Sequence, residues 1–252
     1  MEKLEKLIHY LAPDLDLPQT EDEQEWALRA LMNLWEPKVM AAEFWTLQDA
    51  YLQEKLAQKK LTRLSDLQEV EPQIYLWQGD ITSLQVDAIV NAANSQLLGC
   101  FVPHHRCIDN AIHSQAGLQL RLACYQLMKV QGHLEATGQA KITPAYNLPA
   151  NYVIHTVGPI IQEEVRSQDE ALLASSYQKS LEVAVANGLT SIAFCCISTG
   201  EFRFPNQLAA EIAVRTVRNF IKEHPEIKVI FNVFKDDDKE NYQKWLFVNC
   251  SG

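Results

Sequence analysis

Residues 86–94 read VDAIVNAAN. An almost unbroken apolar run, rather than an alternating one, marks a strand covered on both faces, as in a parallel sheet with helices on either side. The run closes on Asn91 and Asn94, so amide side chains emerge where the strand hands the chain to a loop. In open α/β sheets, ligands bind outside the carboxyl ends of the strands. The stretch therefore predicts both a fold class and the place to look for a site.

The surrounding sequence carries the same texture. IYLWQGDIT is a short strand ending in a turn. Ile108, Ile112, Ala116, Leu120 and Ala123 recur at helix period and predict a helix over about residues 108–130. KITPAYNLPANYVIHTVGP gives a strand, a turn and a strand; DEALLASSYQKSLEVAVANG is an amphipathic helix with Gly188 as its C-cap. TSIAFCCISTGEFRFP is a second buried strand running into a glycine loop, followed by a helix with Pro205 at its start. IKVIFNVFKDDD is a strand, and DKENYQKWLFVNC a last helix. Strands alternating with helices predict an α/β sandwich with a largely parallel central sheet.

Residues 1–70 differ. Leu4, Leu7, Ile8 and Leu11 repeat at helix period, EQEWALRALMNLWEP follows as a second helix and FWTLQDAYLQEKLAQKK as a third. The segment holds no glycine. It reads as a helical extension, residues 1–70, packed on a main domain of residues 71–252, with its tryptophans expected in core rather than along a groove.

Composition narrows the classes. The chain has 252 residues, 47% hydrophobic and 21% charged, as in a globular protein. A formal charge of −10 argues against nucleic acid as the main partner. No apolar run reaches membrane-spanning length, and MEKLEKLIHYLAPD has no signal-peptide core, so a cytoplasmic location is expected. Cys100, Cys107, Cys124, Cys195, Cys196 and Cys250 are then expected to stay reduced.

Three loops follow strands. In GDIT, Asp80 can accept from an exocyclic amine such as that of adenine, or can cap a turn. In STGEFRFP, the amides around Ser198, Thr199 and Gly200 can point at a phosphate, and Phe202 and Phe204 can pack on a sugar or base. In GCFVPHHRCIDNAIH, residues 99–113, Cys100, His105 and Cys107 form a thiol–imidazole tripod suited to zinc, with the fourth position open as in catalytic sites. His104 and His113 are rival ligands and Asp109 an oxygen alternative. No second C-x-x-C or H-x-x-x-H pair exists, so spacing leaves a metal site and an uncoordinated loop both open.

Taken in order, GDIT, VDAIVNAAN, IDNAIHSQAG, TGQAKITPAYNLPANYVIHTVGP and ISTGEFRFP resemble the macrodomain family, which binds ADP-ribose, over about residues 74–248. Where common macrodomains carry a glycine run, this sequence has GCFVPHHRC, which is similar to the zinc-dependent macrodomains of bacteria and some fungi. The resemblance implies a three-layer α/β/α sandwich with a mixed, largely parallel sheet. It implies that Asp80 and Ile81 take the adenine end, that Asn94 sits by the distal ribose, and that Ser198, Thr199, Gly200, Glu201 and Phe202 wrap the diphosphate. It places Zn2+ on Cys100, His105 and Cys107 through a C-F-x-P-x-H-x-C pattern, and gives Asn94 and Asp109 catalytic roles.

The activity so implied is removal of mono-ADP-ribose from a modified protein side chain. Zinc would polarise an oxygen of the ribose or leaving group, or make a water nucleophilic. A non-cleaving ADP-ribose reader, an O-acetyl-ADP-ribose deacetylase and a purely structural zinc are the alternatives. Family context adds, as partners, a lipoylated carrier of the glycine-cleavage H type and a sirtuin-type ADP-ribosyltransferase. A monomer is expected, since the N-terminal helices can bury their apolar faces on the main domain.

Overall fold

The computed structural model describes residues 2–247. Three helices come first, α1 (Glu2–Leu11), α2 (Glu21–Leu34) and α3 (Ala42–Ala57). Leu4, Leu7 and Ile8 lie on one face of α1 and meet Leu28, Met32, Trp35, Phe44 and Leu52 in a small core of their own. Thr20 and Glu23 close a capping box at the start of α2, satisfying two amides the helix would otherwise leave open. Trp26 departs from the expected core position. It is 64% exposed.

The chain then enters the sheet. Two short strands, β1 (Thr62–Arg63) and β2 (Glu69–Glu71), precede β3 (Ile74–Gln78). After β4 (Leu84–Gln85) and β5 (Ala88–Ala92) come helices α4 (Ile108–Ala116) and α5 (Leu118–Gln131), then the β6 (Ala140–Pro144) and β7 (Tyr152–Thr156) hairpin. Helix α6 (Ser167–Ala186), β8 (Ser191–Phe194), α7 (Asn206–Glu223), β9 (Lys228–Val233) and α8 (Asp236–Leu246) complete the described chain. Cys250 and the end of the last expected helix lie outside the described residues.

Seven strands form one sheet in the order β2-β3-β9-β8-β5-β7-β6, with β1 and β4 paired separately. The five central strands run parallel, and antiparallel partners stand at both edges, β2 on β3 and β6 on β7. Helices cover the sheet: α6, α7 and α8 pack on one another, while α4 and α5 pack on β5 and β6. The core is built from the continuous apolar runs, among them Ile89, Val90, Ile192, Ala193, Ile230 and Phe231. Among the described residues no helix is long and apolar enough to cross a membrane.

The single helix expected over 108–130 is two. Gly117, at φ +93, ends α4 and starts α5. A β-carbon there would stand 2.7 Å from Nε2 of Gln48 and 3.0 Å from Leu52, both on α3. In return Gln48 Oε1 accepts the Leu118 amide at 2.9 Å, capping α5 from the N-terminal helices. Gly188 takes φ +69 just beyond α6, its amide donating to Val185 O at 2.9 Å, as a helix-ending glycine does.

Candidate active site and metal centre

The carboxyl ends of β3, β5, β7 and β8 deliver the chain to one side of the sheet, and the predicted residues follow them. The loop after β5 begins with Asn94. Its amide nitrogen donates to Gly99 O at 3.0 Å and lies 3.4 Å from Asp109 Oδ2, while its Oδ1 accepts from the Gln96 amide at 3.0 Å. Both amide hydrogens brace the loop, so one oxygen lone pair is left for a ligand hydroxyl.

The tripod residues are brought together. The ligand atoms of Cys100, His105 and Cys107 all lie within 4.8 Å of one another, each side chain half-buried. Cys100 Sγ is 3.6 Å from His105 Nδ1. The edges of a tetrahedral zinc site with two thiolates and an imidazole are about 3.4–3.8 Å, so the set needs little movement to close on a metal. Two further contacts suit the donor chemistry. The Asn110 amide donates to Cys107 Sγ at 3.3 Å at the start of α4, where amides and helix dipole favour a thiolate. Glu201 Oε1 lies 3.5 Å from His105 Nε2, the ring nitrogen facing away from the thiols, as a carboxylate that orients a ligating imidazole should. Without a metal, burial pushes the Cys107 thiol up to about 12.

The rival ligands go elsewhere. His104, at φ +55, stacks on Trp26 with ring centroids 4.1 Å apart. His113 is buried beneath Gly99, where a β-carbon would stand 2.8 Å from its ring. Burial holds it well below its ordinary pKa. His113, Cys124 and His155 also lie within 4.8 Å of one another, but His155 is engaged at both nitrogens. Asn91 Nδ2 donates to its Nδ1 at 3.2 Å, and Nε2 is 2.9 Å from Thr143 Oγ1. That pattern belongs to a neutral imidazole in a hydrogen-bond network.

The same Asn91 amide nitrogen lies 2.8 Å from Asp109 Oδ1. Asp109 is buried, and burial raises its pKa to about 6 against the lowering effect of Asn91 and Arg121. A carboxylate joined to Asn91 and Asn94 thus sits directly behind the tripod loop.

The loop after β8 holds Ser198 at φ +66 with its Oγ buried and unpartnered, next to Thr199, whose hydroxyl donates to Cys196 O at 3.0 Å. Among the described residues the amides of Gly200, Glu201 and Phe202 donate to no backbone oxygen, which leaves them for an anion. Phe202 is half-buried, whereas Phe204 is 1% exposed and belongs to the core, not to a ligand face. Asp80 Oδ1 caps a short turn of helix through Thr82 at 3.0 Å, and Oδ2 meets Lys59 Nζ at 3.1 Å. Burial would raise its pKa, but these partners outweigh it and hold it below the ordinary value. Ile81 is buried in the core, so its side chain serves packing.

Several site residues are silent in the sequence. Gly158, after β7, packs against Ser198, and the Ile161 amide donates to Phe202 O at 2.8 Å, tying a fourth loop to the site. Phe234, just past β9, is 74% exposed beside the Gly79–Asp80 turn, which the Gly79 amide fastens to Val233 O at 3.0 Å. An aromatic residue directly after a buried strand is the signal that would have found it.

This fold, with polar loops gathered at the carboxyl ends of parallel strands, defines a class. The family model for the macro domain matches residues 90–213. A protein-ADP-ribose hydrolase of Treponema medium is 52% identical over 251 residues, covering 95% of this chain and 96% of that one. One from Staphylococcus aureus strain MSSA476 is 48% identical, covering 88% and 85%. The chain belongs to the macro domain family. Among solved structures, the Trypanosoma brucei macrodomain in complex with ADP-ribose superposes with a TM-score of 0.68 at 30% identity, covering 86% of this chain and 94% of that one.

Proposed function

We propose that this chain is a hydrolase that removes ADP-ribose from modified protein side chains, with zinc held by Cys100, His105 and Cys107. One observation carries the reading. A three-donor metal set, a buried carboxylate at Asp109 and a loop of open amides at Gly200–Phe202 meet at one end of the sheet, linked by the 3.5 Å approach of Glu201 to His105. A pure binding module has no use for a tripod with an open fourth position. The hydrolase relatives of Treponema and Staphylococcus support the same activity.

In this site the Gly200–Phe202 amides hold the diphosphate, in the loop that begins at Ser198 and Thr199. Asp80 receives the adenine amine, and Phe234 stacks on the base. Asn94 Oδ1 accepts from a distal-ribose hydroxyl. Cys100, His105 and Cys107 would hold zinc, which would supply a Lewis acid for an oxygen of the ribose or leaving group. Asp109, buried and bonded to Asn91, is placed to take up and return a proton. The bond from ribose C1 to the side-chain oxygen breaks, water's oxygen replaces it on C1, and the leaving side chain departs with a proton or as a carboxylate.

The test pairs metal content by mass spectrometry with release of ADP-ribose from a mono-ADP-ribosylated protein, before and after chelation. One zinc per chain with chelator-sensitive release is expected. Tight ADP-ribose binding with no release would make the protein a reader. Cleavage of O-acetyl-ADP-ribose without release from protein would move the substrate to the small metabolite.

A further inference from the structure

We infer that helix α2 of the N-terminal extension positions the metal loop, through Asn33, Arg29 and Trp26. The inference rests on the zinc reading of Cys100, His105 and Cys107. All three contacts reach the loop from more than seventy residues away in sequence.

Asn33 is buried near the end of α2. Its Oδ1 accepts the backbone amide of His104 at 3.0 Å, and its Nδ2 donates to Ser114 Oγ on α4 at 3.0 Å. The amide it holds belongs to the residue immediately before the histidine of the tripod, in the strained φ +55 conformation that turns His105 toward the two thiols. One turn earlier, Arg29 Nη2 donates to Asn110 Oδ1 at 3.1 Å, and Asn110 in turn donates through Nδ2 to Val102 O at 3.0 Å and through its own amide to Cys107 Sγ. Trp26, one further turn back, lies flat on the His104 ring, 14° from parallel. Residues 26, 29 and 33 are spaced by three and four, the period of a single helix face. One face of α2 therefore reaches the loop twice at His104, and reaches the start of α4 at Asn110, which in turn holds Val102 of the loop.

Arg121 of α5 fixes the helix to that loop from below. Its Nη1 donates to the carbonyls of Met32, Asn33 and Trp35 at 2.8–3.2 Å, where α2 ends, and its Nη2 donates to Cys100 O at 3.3 Å. Its guanidinium also sits 4.2 Å over the ring of Phe101. A loop left to itself would sample many arrangements of three ligands. Partners that hold metal ligands in place are generally worth about 10–100-fold in metal affinity. By reciprocity, a metal on the tripod must stabilise the docking of α2 to the same extent.

The experiment measures zinc affinity of the full chain by competition with a chromogenic chelator, for wild type, Asn33→Ala, Arg29→Gln, Trp26→Ala and Tyr10→Phe. Tyr10→Phe removes a hydrogen bond to Glu43 within the extension, away from the loop. Hydrogen exchange of residues 21–34 is followed with and without zinc. The expected result is a loss of about 10-fold or more for Asn33→Ala, several-fold losses for Arg29→Gln and Trp26→Ala, no change for Tyr10→Phe, and slower exchange in α2 when zinc is present. If Asn33→Ala fails to fold, Trp26→Ala decides the matter, because an exposed side chain can be removed without emptying a core. Wild-type affinity in all four variants, with α2 exchange indifferent to zinc, would overturn the inference while leaving the metal site standing. A wild-type chain that takes up no zinc would overturn the metal reading itself, and this inference with it.

Discussion

A β-carbon on Gly158 would stand 2.0 Å from Oγ of Ser198 and 2.8 Å from Cγ2 of Ile197. The hydroxyl can rotate away, but Ile197 is fully buried and cannot. Gly158→Ala must therefore push the start of the Ser198–Phe202 loop out of place. We expect ADP-ribose affinity, measured by calorimetry, to fall about tenfold, or ~1.4 kcal/mol. Unchanged affinity would separate that loop from ligand binding.

Phe234→Ala tests the adenine end. Loss of an aromatic platform costs roughly 1–3 kcal/mol per stacked base. ADP-ribose binding should weaken by that amount, and ribose 5-phosphate binding should be untouched. Equal losses for both ligands would place the base elsewhere.

Asp109→Asn keeps the shape of the side chain and removes its charge and basicity. Release of ADP-ribose should slow by about 100-fold or more, as loss of a general base does. Affinity for free ADP-ribose should stay within about threefold. A variant with full turnover would show that the carboxylate only braces Asn94.

The buried cluster also sets how stability responds to acid. Burial lowers the pKa of His155 to about 3, from 6.5 in an unfolded chain. Its contribution is present above 6.5 and is lost as the pH falls toward 3, about 2 kcal/mol between pH 7 and 5. His113, also lowered by burial, acts with the same sign. Asp109 has the opposite sense: its folded pKa is raised to about 6 from 3.8, so protonation on going from pH 7 to 5 returns roughly 1 kcal/mol. Urea unfolding at the two pH values should therefore show Asp109→Asn losing roughly 1 kcal/mol more than wild type. Equal losses would mean that Asp109 titrates as an ordinary carboxylate.

Local chemistry was legible in the sequence and long-range partnership was not. The strands β5, β8 and β9 are readable because burial on both faces leaves an unbroken apolar signature. The tripod is readable as a candidate because its three ligands fall within eight residues, although spacing could not choose between His105 and its neighbours. The break at Gly117 is hidden, since apolar residues continue at helix period across it, and what forces the break is the approach of Gln48 from α3. For the same reason Trp26 reads as a core residue: its partner, His104, lies 78 positions away and is visible only in three dimensions. Asn91 reads, with Asn94, as an amide that could bond a sugar hydroxyl or fix the loop, whereas in the structure it joins Asp109 to His155 in the interior.

Arg121 is 2% exposed, and the oxygens that accept its hydrogen bonds come chiefly from the C-terminal end of α2 and Trp35 just beyond it. Cutting those helices away would remove three of its acceptors and open to water a site that is now closed. Leu118 would lose its cover in the same cut, since it packs in the core of the N-terminal helices. The helices are therefore not a detachable appendage. A chain trimmed to the sheet and its covering helices would begin life with an open apolar face and an arginine stripped of its acceptors, and deletions or fusions that spare the carboxyl-end loops can still abolish the protein by this route.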